Sequence, residues 1–172
     1  MKRILSAVCC IAICSAPALA QMKSAKGQAM SDQKFVDFAA QTDMVEANLG
    51  QLADSAASSQ QVKDYAQMLV TDHTNDFNQL YGIANQASLT MPSAIDTPSN
   101  KMMIAPFQKV KGAAFDKKYI HGMIAGHTKA IAIYKKEAAD AENPALKAYA
   151  EQTLPALQKH LDAAKALETA KQ

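Results

Sequence analysis

The stretch QLADSAASSQQVKDYAQMLV, residues 51–70, decides the fold, because it ends one apolar stripe and begins another within a few residues. Before it, apolar residues recur at three- and four-residue spacing as far as Ala57, which is typical of an amphipathic helix. Ser58 and Gln61 then have the Ser-x-x-Gln form of a capping box, which predicts the start of a second helix. Since the join is short, the two helices must be antiparallel neighbours.

The same periodicity predicts two more long helices. One spans about 113–141, and the next follows Asn143 as its N-cap, with Pro144 at the first helical position, where a missing N–H is no loss. Prolines interrupt residues 88–112 around one short helix near 100–110. A crossover along a bundle explains so long a connection. The predicted fold is all-α, a ferritin-like four-helix bundle of residues 31–169 in which this crossover joins two antiparallel hairpins.

The N-terminal residues 1–20 predict a secretory signal peptide. Lys2 and Arg3 precede an apolar run too short to span a membrane, and Ala18-Leu19-Ala20 is a small-residue cleavage site. Cleavage after Ala20 removes all three cysteines, so the mature chain has no disulfide and no thiolate ligand. Residues 21–30 are polar and without period, which predicts a disordered lead-in. We expect a periplasmic or secreted protein, and peripheral association with the envelope is compatible with this.

Composition and charge exclude several classes of function. Cleavage takes Lys2 and Arg3 from the 18 basic residues, which leaves as many as the 16 acidic ones. A nucleic-acid partner is therefore not expected. The sequence past the signal has no apolar run long enough for a membrane span. It also has no nucleophilic triad, P-loop or glycine-rich dinucleotide turn, so hydrolase and nucleotide chemistry have no support. Protein partners stay unknown.

One ionisable residue lies on the apolar stripe of each long helix. At about 100° per residue, Glu46 and His73 fall on the first and second stripes, and His127 and His160 on the third and fourth. Glu46 and His73 lie about twelve and fifteen residues from the first turn, and the other two about sixteen and seventeen from the second. At about 1.5 Å rise per residue, each pair differs by a few ångströms in height. These heights allow the four side chains to converge near the middle of the bundle, although a rotation of one helix by one residue would scatter them. His121 lies off its stripe and is excluded.

Two readings of this cluster stay open. In the first, the protein is a metal-binding or stress-related envelope protein, and Glu46 and the three histidines hold one transition-metal ion (zinc, copper or iron), with Asp76 in support. In the alternative, the protein is a purely structural or interaction module. Glu46 then accepts hydrogen bonds from the histidines, Asp76 or Thr42 completes the network, and the polar layer fixes the register of the helices.

A ferritin-like oxidase is the third reading, and it is the least favoured. Its di-iron site takes a Glu from each of two helices and a Glu-x-x-His pair from each of the other two. Here the residues three positions before His127 and His160 are Ile124 and Leu157. The site has too few carboxylates for that chemistry, so an enzyme is not the leading interpretation.

Four segments resemble, in order and spacing, the family of domain of unknown function 4142. They are FVDFAAQTDMVEANLGQLA, YAQMLVTDHTNDFNQL, GAAFDKKYIHGMIAGHTKAIAIYKKEA and LKAYAEQTLPALQKHLDAAKAL, within about residues 32–167. The resemblance implies a bacterial envelope protein with a ferritin-like fold and no established reaction, often labelled an outer-membrane protein. Without a lipid-attachment cysteine, a soluble periplasmic protein fits better. The family's recurrent polar positions map onto Glu46, Asp72, His73, Asp116, His127 and His160.

Overall fold

The computed structural model describes residues 29–92, 95 and 97–170, which form five helices and, within these ranges, no strand. The prediction of an all-α fold is confirmed. The short helix in the crossover is present, and the four long helices begin and end close to their expected bounds. The helices are α1 (Asp32–Ala56), α2 (Gln60–Gln86), α3 (Pro98–Gln108), α4 (Ala113–Asp140) and α5 (Pro144–Thr169).

The long helices pack in pairs that follow the order of the chain. The most extensive packing joins α1 to α2 and α4 to α5. Because only three residues connect the members of each pair, each pair is an antiparallel hairpin. The hairpins meet chiefly through α2 and α5, while α1 makes a smaller contact with α4. The short helix α3 packs against α1 and α4.

The start of α2 differs from the sequence prediction. Its N-cap is Ser59, one residue later than expected, and no side chain of the segment itself caps the helix. Asp116 of α4 accepts hydrogen bonds from the backbone N–H groups of Ser58 and Ser59, at 3.0 and 2.9 Å, and from the Ser58 hydroxyl. The predicted capping box is therefore wrong, because a carboxylate from another helix binds the hydroxyl and the backbone N–H of Ser58 with which the box would be formed.

The start of α5 agrees with the sequence prediction. The Asn143 side chain accepts hydrogen bonds from the backbone N–H groups of Ala145 and Leu146, and Pro144 occupies the first turn. The helix then continues through Pro155, whose side chain is exposed, as far as Thr169. This fixes the position of His160 along the second hairpin.

The apolar core consists of two clusters, one on each side of a polar layer. Every long helix contributes to both clusters, and on α2 and α4 the polar residues His73 and His127 lie between the two contributions. Large buried members of the first cluster are Leu49, Leu69, Phe115, Tyr119 and Ile120. Large buried members of the second are Phe35, Leu80, Tyr134, Leu146 and Tyr149.

The chain just before α1 is held by the second hairpin. The backbone N–H of Met30 donates to Oε1 of the buried Glu137 at 2.6 Å. The predicted signal peptide and residues 21–28 of the predicted lead-in lie outside the described residues. None of the described helices combines the length and the hydropathy needed to cross a membrane.

Candidate metal centre

The structure brings together all four residues that the apolar stripes indicate. Glu46 is 5% exposed, and His73, His127 and His160 are fully buried. The centroids of the three imidazole rings lie 5.2 to 5.8 Å apart. Oε2 of Glu46 lies 3.0 Å from Nε2 of His73 and 3.4 Å from Nε2 of His127. One side chain from each long helix thus reaches a common point between the two apolar clusters.

Each imidazole has one ring nitrogen bonded to an acceptor outside the cluster. The pairs are His73 Nδ1 with Asp43 Oδ1 at 2.8 Å, His127 Nδ1 with the Met123 carbonyl at 2.9 Å, and His160 Nε2 with Asp72 Oδ2 at 2.8 Å. A carbonyl or an ionised carboxylate can only accept, so these ring nitrogens carry the proton. In a neutral imidazole the other nitrogen then has a free lone pair. Metal-binding histidines are characteristically oriented in this way.

The opposite ring nitrogens point into the cluster. Nε2 of His73, Nε2 of His127 and Nδ1 of His160 have no hydrogen-bond partner among the described residues, and neither has Oε2 of Glu46. Oε2 nevertheless lies within ion-pair distance of the first two of these nitrogens, at 3.0 and 3.4 Å. One nitrogen from each ring lies within 4.8 Å of those of the other two. Three imidazole nitrogens and one carboxylate oxygen that face each other form a set of donors that suits a transition-metal ion.

Burial and charge act in opposite directions on the pKa values of the site. Burial alone would lower the pKa of His73, but Glu46 and Asp43 outweigh it and hold that pKa well above 6.5. Burial alone would raise the pKa of Glu46, but His73 brings it below its ordinary value. Burial lowers the pKa of His160 and raises the pKa of Asp43 to about 6. In the protein alone, His73 therefore carries a proton that a metal ion would have to displace.

Asp76, the expected supporting residue, lies beside Asp43 and His73. One oxygen or nitrogen atom from each of these three residues lies within 4.8 Å of the other two. Asp76 is half-buried, and its Oδ2 is buried without a partner among the described residues. A cleft of about 270 Å³ between α1 and α2 reaches Asp43 and His73. Asp76 thus adjoins the four central residues through His73 and Asp43.

Two other residues weighed from the sequence lie outside the cluster. The exposed His121 forms an ion pair with Glu168 at 3.3 Å, in agreement with its exclusion. The hydroxyl of Thr42 donates to the carbonyl of Phe38 in its own helix, so Thr42 does not complete the polar network. The carboxylates at or beside the cluster all come from α1 and α2, while α4 and α5 contribute imidazoles.

Sequence reasoning missed the partner of His73. Asp43 is 2% exposed and precedes Glu46 by three residues, a spacing that places both on one face of α1 and could have revealed it. The resemblance to a family drew attention to Asp72 and Asp116 without giving their roles. Asp72 accepts a hydrogen bond from His160, and Asp116 caps α2. Only the first of these two contacts the histidine cluster.

Comparison with known proteins agrees with this fold. A family described as domain of unknown function (DUF4142) matches residues 16–167. None of the curated proteins compared with the chain matches it significantly. A crystal structure of a DUF305 fragment from Deinococcus radiodurans is similar, with a TM-score of 0.68 and 13% identity over 81% of this chain and 97% of that one. A candidate secreted DUF305 protein from Streptomyces coelicolor has a TM-score of 0.61 and 11% identity over 76% and 88% of the two chains. At such identities the likeness concerns the fold alone.

Proposed function

This chain belongs to the DUF4142 family, a domain of unknown function, and we propose that it binds one transition-metal ion between its long helices. The ligands are Glu46, His73, His127 and His160. Three imidazole nitrogens and one carboxylate oxygen suit zinc, copper or iron. The protein acts in the periplasm or outside the cell, after removal of the residues up to Ala20, and its role is metal binding or an envelope stress function.

The observation that carries the proposal is the orientation of the three imidazoles. Each ring has its outer nitrogen bonded to a carboxylate or a carbonyl, and one nitrogen of each ring lies within 4.8 Å of those of the other two. The inner nitrogens of His73 and His127 lie 3.0 and 3.4 Å from Oε2 of Glu46. The outer bonds select the tautomer whose inner nitrogen has a lone pair. A polar layer that needed no ion would be expected to pair these inner atoms with each other or with nearby hydroxyls.

The proposal includes the architecture around the ion. The four long helices form a ferritin-like four-helix bundle in which each helix supplies one ligand. The packing of α2 on α5 and of α1 on α4 supports this arrangement. Because two ligands come from each hairpin, the ion would hold the hairpins together as well as satisfy the buried polar atoms.

The proposed site is mononuclear. A ferritin-like di-iron centre draws carboxylates from all four helices, and here α4 and α5 offer imidazoles at this level. The donor set therefore supports binding of a single ion, and no oxidase reaction is proposed.

A structural polar layer is the second candidate, and the surroundings of His73 favour it. Asp43 lies 2.8 Å from Nδ1, and Glu46 lies 3.0 Å from Nε2. A protonated His73 would thus be paired with a carboxylate on each side without any ion. In this case the cluster fixes the register of α1 against α2 and has no ligand.

Metal analysis of protein purified from the periplasm without chelating resins separates the two candidates. We expect about one ion per chain in the unsubstituted protein and little in His73→Gln, His127→Gln or His160→Gln. The matched control is His121→Gln, which alters an exposed histidine and should keep its ion. Absence of metal from the unsubstituted protein, with no change in its melting temperature on addition of zinc, copper or iron salts, would refute metal binding and favour the structural layer.

A further inference from the structure

A groove between α1 and α4 reaches the carboxylate of the candidate metal centre. It has a volume of about 370 Å³, and α3 forms part of its wall. Most of the lining is apolar, while Glu46 is the one buried charged residue among the described residues that line it. The apolar side chains are Phe38, Val45, Leu49, Met103, Phe107 and Met123.

Two glycines, one helical turn apart on α4, keep this groove open. A Cβ atom on Gly122 would lie 3.2 Å from the ring of Phe107, and one on Gly126 would lie 3.3 Å from Oε1 of Glu46. A larger side chain at position 126 would therefore fill the space beside the carboxylate. Glycine in a helix interior costs about 1 kcal/mol relative to alanine. The groove thus exists at the expense of helix stability.

The two oxygens of Glu46 lie in different surroundings. Oε2 makes the short contacts with His73 and His127. Oε1 lies next to Gly126, on the side where the groove reaches the carboxylate. Oε1 is thus an acceptor that a molecule in the groove can reach while Oε2 is engaged in the cluster.

We propose that the groove binds a small aromatic alcohol, a molecule of the phenol class. Its hydroxyl donates a hydrogen bond to Oε1 of Glu46, and its ring lies among the apolar side chains. Ligand pockets of this size are commonly apolar with a few polar groups that orient the ligand. A carboxylate ligand would be repelled by Glu46, and a plain hydrocarbon would leave Oε1 without a donor.

The outer part of the groove also favours an uncharged aromatic ligand. Lys129 lines it, with Nζ 5.7 Å from the centroid of the Phe38 ring. A positive charge at this position disfavours an ammonium ligand, and the aromatic residues Phe38 and Phe107 in the lining favour a ligand that is itself aromatic. This inference rests on the proposed function only through Glu46, which would use Oε2 for the ion and Oε1 for the ligand.

Two probes with the same ring system test the inference. The first is 1-naphthol, and the second is 1-methoxynaphthalene, which cannot donate a hydrogen bond. The chain has no tryptophan, so naphthalene fluorescence can be followed against tyrosine alone. Removal of a donor to a buried charged acceptor should weaken binding at least about tenfold. Equal affinities for the two probes, or no binding of 1-naphthol, would overturn the proposal.

Substitutions locate the binding site. We expect Gly126→Leu to abolish binding of 1-naphthol, and Met103→Ala, on α3, to weaken it several-fold. The matched control is Gly82→Leu in α2, where a Cβ atom would meet nothing within 4 Å, and it should bind normally. Retained binding in Gly126→Leu would overturn the proposal. If that variant does not fold, unchanged affinity in Met103→Ala would do the same.

Metal content, measured on the same samples, separates this inference from the proposed function. A protein that holds its ion but binds the two probes equally contradicts only the groove proposal. A protein that binds 1-naphthol selectively but never holds an ion supports the groove proposal and contradicts metal binding.

Discussion

Asp116 and Glu46 are both buried carboxylates, 2% and 5% exposed, but their surroundings differ. Asp116 receives three hydrogen bonds from Ser58 and Ser59, and these cap α2. Glu46 faces imidazole nitrogens, and its Oε2 has no hydrogen bond among the described residues. The comparison contrasts a carboxylate that caps a helix with one for which we propose a ligand. Backbone and hydroxyl donors surround the first carboxylate, whereas the second lies against imidazole nitrogens that are themselves possible metal ligands.

The largest effect on zinc affinity should come from removing one of the proposed ligands around Glu46. We expect His127→Gln to lower the affinity for zinc by about a thousandfold, since the site loses one of four donors and the whole binding free energy of such sites is of order 10 kcal/mol or more. Competition with a chromophoric chelator measures this affinity. An affinity within threefold of the unsubstituted protein would show that His127 is not a ligand.

Substitution of the capping residue Asp116 should lower stability and leave zinc affinity almost unchanged. Asp116→Ala removes three hydrogen bonds to a buried charge and leaves the start of α2 uncapped, so we expect a loss of about 3 kcal/mol in the free energy of unfolding. Denaturant titration of the metal-free protein measures this loss, while the affinity of the folded protein for zinc should change little. A large loss of zinc affinity with unchanged stability would show that Asp116 acts in metal binding and not as a cap of α2.

The outer partners of the histidines should give an intermediate effect on metal affinity. Asp72→Asn removes the charge that orients His160, and we expect a loss of about tenfold in zinc affinity. Asp162→Asn is a suitable control, because Asp162 bonds Gln158 on the exposed face of the same helix as His160. Chelator competition on both variants makes the measurement. If the two have the same affinity, the hydrogen bond of His160 does not tune the site.

The pH dependence should have opposite signs with and without metal. Glu46 and Asp43 hold the pKa of His73 above its ordinary value of 6.5 despite its burial. In the metal-free protein, His73 therefore contributes stability below pH 6.5 that is lost as pH rises through its raised pKa. A metal ion displaces that proton, so over the same range zinc affinity should rise by up to about tenfold per pH unit. Melting temperatures and chelator competition from pH 6.5 upwards check both signs, and a parallel pH dependence would contradict the assignment.

The sequence predicted the helices and the four central side chains because these depend on local rules. Helical periodicity places a residue on a face, and a short turn fixes the heights of two antiparallel partners. His73 and His160 lie 87 positions apart, yet the face and the height of each were predicted from its own helix and the turn next to it. This is why four residues were found without any knowledge of the packing of α2 against α5.

The remaining features depend on contacts between distant segments. Which ring nitrogen of His160 faces the centre is set by Asp72, 88 positions away, and the cap of α2 comes from Asp116. The predicted capping box failed for this reason, since it considered only residues next to Ser58. Asp43 is an intermediate case, because its spacing from Glu46 was visible but its role required the position of His73.

Anomalous diffraction from crystals of the zinc-loaded protein tests the central claim most directly. We predict one buried peak, at about 2.0 to 2.2 Å from Nε2 of His73, Nε2 of His127 and Nδ1 of His160, and at a similar distance from Oε2 of Glu46. Three results would contradict the claim: a peak beside Asp43 and Asp76 instead, peaks only at the surface, or no peak in crystals kept at a saturating zinc concentration.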